Sequence, residues 1–172
     1  QLVEALAALR RQGVAARALL IGDGEMRPAV EARARDLGVA HALVITGFQN
    51  DVRPFIAAAD VLVLCSTAVE TFSLAALEAM ALGRPVVLSD IGGAAEMIAP
   101  GGNGFLFRAG DTDALTRKLS VLVDRALCER MGRSAREKVE TRFSEHEMID
   151  RYEQILQELC GKQVQRNTPI TT

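Results

Sequence analysis

The 172-residue sequence predicts an α/β domain built on a doubly wound parallel sheet. Three observations lead there. Short apolar runs of strand length alternate with longer stretches of helical periodicity, as in sheets covered on both faces by helices. The runs are mostly continuous rather than alternating, which suits strands buried on both sides. Loops carrying glycine or a short polar residue connect the strands to the helices that follow them.

The chain opens inside a helical pattern, with Leu2, Leu6 and Leu9 at helical spacing. Gln1 is not a natural start, so an upstream part is expected to have been removed or to lie elsewhere. Strands are expected at Arg17 to Ile21, Leu43 to Thr46, Val61 to Cys65, Pro85 to Ser89 and Gly104 to Phe107. Between them fall helices near Arg27 to Leu37, Val52 to Ala58, Leu74 to Leu82, Ala94 to Ile98 and Thr112 to Leu122. From Glu129 to Leu159 the pattern changes to two charged amphipathic helices, broken near Arg142 to Ser144, which cover the sheet or reach towards a partner. Residues 1–160 are expected to form one domain, and the polar stretch 161–172 a loose tail.

Composition narrows the function. A net charge of −2 with interspersed signs gives no basic stripe for nucleic acid. No run is long and apolar enough for a membrane span. The three cysteines, Cys65, Cys128 and Cys160, have neither zinc-site spacing nor an even count, which suits reduced thiols in a cytoplasmic protein, Cys65 packing at the end of its apolar run. The two histidines, His41 and His146, look like surface residues, and no metal site or Ser-His-Asp arrangement is expected.

Ligands of such a sheet bind at the carboxyl ends of its strands, beside helix N-termini whose free amides attract anions. Three loops fall there. Gly22-Asp23-Gly24 permits close approach to a ligand's phosphates, but it lacks a third glycine at dinucleotide spacing and reads more readily as a plain strand-to-helix turn. Glu70-Thr71-Phe72-Ser73 precedes the apolar helix Leu74 to Leu82, in which Glu78 is the polar residue. A buried Glu78 would need hydrogen-bond donors, and the paired hydroxyls of a ribose would supply them; on the outer face it would simply be solvated. Thr71 or Ser73 can cap the helix, turning the amides of Phe72, Ser73 and Leu74 towards a diphosphate. The third loop, Asp90-Ile91-Gly92-Gly93, brings backbone close to whatever occupies the strand ends.

Together, Ala59-Asp-Val-Leu-Val-Leu-Cys-Ser66, Glu70-Thr-Phe-Ser-Leu-Ala-Ala-Leu-Glu78-Ala-Met-Ala-Leu-Gly83-Arg-Pro-Val-Val-Leu-Ser89, Gly92-Gly-Ala-Ala-Glu96 and Gly102-Asn-Gly-Phe-Leu-Phe107 resemble the group 1 glycosyltransferases. These are retaining enzymes of the GT-B fold, in which two Rossmann-like domains face each other across a cleft. The chain resembles the C-terminal, donor-binding domain from about Ala18 to Leu159. The resemblance implies that Glu70 orients the donor sugar and carries the catalytic role, and that Glu78 holds the ribose. By the same resemblance the amides of Phe72, Ser73 and Leu74 line the sugar and diphosphate, and backbone near Phe48 and Gln49 edges the nucleobase. It implies a UDP- or GDP-sugar as donor, no cofactor and no metal.

Two departures stand out. Many members have Gly-Phe-Gly after the first glutamate, where this chain has Thr71-Phe72-Ser73, narrowing the space beside the sugar. The resemblance also implies a preceding strand and loop with an Arg and a Lys that clamp the diphosphate, which this chain lacks. Alone it is therefore expected to be inactive, its partner being the N-terminal acceptor domain or another chain that completes the sheet; otherwise the sheet rearranges. The place of action is expected to be the cytoplasm, or the cytoplasmic face of a membrane through the absent half. Alternatives are a non-catalytic nucleotide-binding or scaffolding domain, or a GT-B nucleotide-sugar epimerase, which the scarcity of histidine disfavours.

Overall fold

The structure is a computed structural model that describes residues 1–68 and 70–166, the last six by their backbone alone. Helix α1 (Leu2–Arg11) buries Val3, Ala5, Leu6, Ala7 and Leu9 along one side. There follow β1 (Ala18–Leu20), α2 (Arg27–Asp36), β2 (Leu43–Ile45), α3 (Arg53–Ala58), β3 (Leu62–Leu64), α4 (Leu74–Ala81), β4 (Val86–Ser89), α5 (Ala94–Met97), β5 (Gly104–Phe107) and α6 (Thr112–Val121). The chain ends in two longer helices, α7 (Arg125–Arg142) and α8 (Glu145–Arg166). Every predicted strand and helix is present, the strands being trimmed by a residue or two where pairing stops.

All ladders between strands are parallel. β1 pairs with β2, Ala18 opposite Leu43, and β4 lies between β3 and β5, Val87 opposite Val63 on one side and Phe105 on the other. The sheet is therefore in two pieces, and β1 and β3 each have one hydrogen-bonded neighbour. The described strands thus form two parallel pieces with no ladder joining them. Ile21, just past β1, packs in the same cluster as Leu62 and Leu64 of β3, so the two pieces share a core.

Two apolar layers enclose the β3-β4-β5 sheet. Ile56, Ala76, Ala79, Met80 and Met97 cover one side of β4; Leu9, Leu115, Leu119 and Met131 cover the other. Val86, Val87 and Leu88 are accordingly almost inaccessible, which is why this strand reads as an unbroken apolar run. Helix α7 crosses α4 at Gly132, where a Cβ would come within 2.1 Å of the Gly83 carbonyl oxygen. Glycine is what allows that approach.

Two boundaries differ from expectation. Helix α7 begins at Arg125 rather than Glu129, because the Asp124 carboxylate accepts from the amides of Ala126 and Leu127 and starts the helix a turn earlier. Helix α8 runs to Arg166, past the expected start of the tail, since Lys162, Gln163, Gln165 and Arg166 are good helix formers and no proline interrupts before Pro169. The rest of that tail, 167–172, lies outside the described residues. Along α8, Met148, Ile149, Tyr152, Ile155, Leu156 and Leu159 are exposed at helical spacing. No described helix is long and apolar enough to cross a membrane.

Candidate functional site

The carboxyl ends of β3 and β4 carry the loops 65–73 and 90–93, and the structure clasps these two together. Gly92, at φ 54°, passes so close beneath the 70–73 turn that a Cβ there would fall 1.6 Å from the Glu70 carbonyl oxygen. At Gly93 a Cβ would meet the Thr71 oxygen at 2.6 Å and the Phe72 ring at 2.8 Å. The Gly93 amide donates to the Thr71 carbonyl at 2.7 Å. The paired glycines thus serve a partner inside the chain: they let one strand-end loop seat against the other.

That seat fixes Glu70. Its carboxylate is half-buried and accepts from the Ser66 hydroxyl at 3.3 Å, so a residue at the end of β3 holds a residue four positions on. Beneath it is a cavity of about 10 Å³, lined by Ser66, Glu70, Ser73, Ser89 and apolar neighbours, with room for about one water. Ser73 caps α4: its buried hydroxyl accepts from the Ala76 amide at 3.2 Å. Of the two candidate caps, Ser73 therefore takes the role and Thr71 is exposed. The amides of Phe72, Ser73 and Leu74 have no acceptor among the described residues and lie at the positive end of the helix.

Glu78 stands one turn beyond Leu74 on the same side of α4, and both are exposed, Leu74 at 72%. The structure places Glu78 on the open face, with Ala76, Ala79 and Met80 buried behind it. No burial penalty therefore calls for a ribose there. Arg53, locked to Asp51 through two hydrogen bonds of 2.8 and 2.9 Å, lies close enough for Glu78 to add to the rise in its pKa.

The remaining candidates stand at the ends of β1 and β2. Gly22 bridges to Gly47, donating to its carbonyl at 3.0 Å, and the Gly24 amide donates to the Asp23 carboxylate at 2.9 Å. Both glycine amides are thus engaged, and the loop presents a carboxylate that Gly24 and Arg27 hold below its usual pKa. This is the behaviour of a strand-to-helix turn. Phe48 is 80% exposed after Gly47, and the Gln49 side chain donates to the Thr46 carbonyl at 3.0 Å. His41 and His146 are exposed, Cys65 is half-buried with its thiol pushed up by burial, and no His, Cys, Asp or Glu cluster suited to a metal occurs among the described residues.

Sequence reasoning had missed the Ser66 contact and Phe143. The Phe143 ring meets Phe72 edge-on, centroids 5.4 Å apart. Asn103, quoted only as part of a motif, is buried and satisfies two backbone groups, donating to the Met97 carbonyl at 2.9 Å and accepting from the Ala99 amide at 2.7 Å.

Comparison with known proteins gives a consistent family. The family described as "Glycosyl transferases group 1" matches residues 1–125. The putative glycosyltransferase EpsD of Bacillus subtilis is 35% identical over 157 residues, 88% of this chain and 41% of that protein. Among solved structures, Anabaena Alr3699/HepE in complex with UDP superposes with a TM-score of 0.81 at 28% identity, covering 93% of this chain and 44% of that one. The same protein in complex with UDP-glucose gives 0.80 at 29% identity, covering 93% and 44%. The C-terminal domain of a group 1 family protein (LpcC) from Francisella tularensis gives 0.75 at 25% identity, covering 84% of this chain and 78% of that domain. The chain spans less than half the length of the curated relatives it matches. The Rossmann-like α/β domain of GT-B type expected from the sequence is borne out.

Proposed function

Since the chain belongs to the group 1 glycosyltransferases, we propose that it is the nucleotide-sugar-binding part of a retaining enzyme that transfers a sugar from a nucleoside diphosphate to an acceptor hydroxyl. One observation carries this reading: a half-buried Glu70, held by Ser66, lines the same small cavity as Ser73 at the start of α4, where three amides have no acceptor among the described residues. A fixed acceptor for sugar hydroxyls and a ready site for a diphosphate's charge are thus adjacent.

In this reading the amides of Phe72, Ser73 and Leu74 take the diphosphate oxygens, and the helix dipole favours the charge that grows as the sugar departs. Glu70 orients the sugar and stabilises its oxocarbenium-like form on the face from which the diphosphate leaves. The acceptor attacks that same face, and configuration is retained. Glu78, exposed and without a hydrogen-bond partner among the described residues, is free to accept from both ribose hydroxyls. Backbone near Phe48 and Gln49 borders the base. The diphosphate's charge is met by amides, and by the Arg and Lys that the family resemblance places on a preceding loop, so the reaction proceeds without a metal or cofactor. The enzyme acts in the cytoplasm or at its membrane face, and an acceptor-binding domain completes the cleft.

The test is calorimetric titration of the chain with UDP, GDP and ADP, repeated with Glu78→Ala. Binding of one nucleotide, weakened by the substitution, is the expected result. Binding of none, by this chain and by one extended upstream, would overturn the reading.

A further inference from the structure

We propose that Phe143, at the elbow between α7 and α8, is a positioning residue for the loop that carries Glu70. Its contact with that loop is the Phe72 ring, through which it acts. The Phe72 ring lies edge-to-face with Phe143, centroids 5.4 Å apart and planes at 62°. The ring also lies against Gly93, at a distance that leaves no room for a Cβ. Phe72 thus touches both the 90–93 turn and the end of α7, while its amide stays free of any acceptor among the described residues.

The end of α7 is well placed to act as the outer jaw. Its middle is fixed against α4 at Gly132. One turn before its end, Lys138 donates through Nζ to the Glu96 carbonyl at 3.0 Å, tying it to α5, which follows the Gly93 turn directly. Phe143 closes the helix, its own amide donating to the Val139 carbonyl at 3.0 Å. Three segments distant in sequence, 70–73, 92–97 and 138–143, therefore meet around one aromatic ring. With the Phe143 ring removed, Phe72 loses the group that keeps it against Gly93, and the turn between Glu70 and Ser73 is free to shift. Hydrogen bonds and aromatic pairs of this kind hold a site to within the fraction of an ångström that ligand recognition requires.

The effect on ligand rests on the donor-site reading above; the positioning does not, so two measurements separate them. The first is hydrogen exchange of the free chain, read at the amides of Ala76 and Gly93, which report the Ser73 cap and the Thr71 clasp. Phe143→Ala is expected to speed both about fivefold, the size that one edge-to-face pair supports. Phe143→Tyr, which keeps the ring, should restore wild-type exchange. Leu119→Ala, in the other core layer, controls for general loosening. The second is titration with UDP and UDP-glucose, where Phe143→Ala should weaken both, UDP-glucose about fivefold and UDP by a smaller factor, since UDP shares the diphosphate contacts of the turn but not those of Glu70 with the sugar.

Unchanged exchange at Ala76 and Gly93 in Phe143→Ala, acceleration confined to α7 and α8, or the same acceleration in Leu119→Ala would overturn the proposal. If the wild-type chain binds no nucleotide, the donor reading fails, and the exchange arm alone still decides whether Phe143 positions the loop.

Discussion

The two carboxylates before and within α4 sit in opposite circumstances. Glu70 is half-buried, held by Ser66 and seated on the Gly92-Gly93 turn, whereas Glu78, two helical turns along, stands in solvent with no hydrogen-bond partner among the described residues. On the proposed function, the contrast separates two ways of recognising one ligand. A group held beforehand loses little freedom when its partner arrives and suits the end where charge and geometry change during transfer. A free surface carboxylate must be ordered by the ligand and suits an anchoring contact that is the same throughout.

The strongest way to break this contrast is to spoil the seat. Gly92→Ala puts a Cβ onto the Glu70 carbonyl at a positive φ, and is expected to lower stability by roughly 2–4 kcal/mol in denaturant titration and to abolish UDP-glucose binding. Next, Glu78→Ala should weaken UDP about 10- to 100-fold by calorimetry, as for the loss of hydrogen bonds to a charged group, yet leave stability within about 0.5 kcal/mol because the residue is exposed. A stability loss comparable to that of Gly92→Ala would mean that Glu78 is structural and the contrast is misplaced.

A smaller effect sharpens the other end. Ser66→Ala removes the donor to Glu70 and should weaken UDP-glucose a few-fold, in keeping with one net hydrogen bond of about 1 kcal/mol, with UDP unchanged. The smallest lies outside the contrast, in the Asp23 turn. Gly24 and Arg27 lower the Asp23 pKa in the folded state, so its contribution is present above the ordinary aspartate value of about 4 and is lost as pH falls through the lowered one. The thermal midpoints of wild type and Asp23→Asn should differ slightly at neutral pH and converge in that acid range, with nucleotide binding unaffected.

The fold was legible because its strongest signal is local. Val86, Val87 and Leu88 are buried on both sides and can only be apolar. Motif residues were legible by type, but their surroundings were not. Helix α4 is nearly all apolar, so its sequence does not say which side faces the core, and the exposure of Glu78 had to come from packing against α7. Gly92 and Gly93 were visible as glycines, yet what they approach, the Glu70 turn, lies a helix and a strand away in the chain. Phe143 left no signal: its partner is 71 positions earlier, and an aromatic residue at a helix end reads as ordinary packing. The cap at Asp124 could have been read, since an aspartate before a helical run is a start signal.

The most direct test of the division between the two carboxylates is the gain in affinity from UDP to UDP-glucose, measured by calorimetry in wild type, Glu70→Ala and Glu78→Ala. The expected result is that Glu70→Ala removes the gain contributed by the sugar and leaves UDP binding intact, while Glu78→Ala weakens both ligands by the same factor. If Glu70→Ala weakens UDP as much as UDP-glucose, or Glu78→Ala leaves UDP unchanged, the two residues do not divide the ligand as proposed.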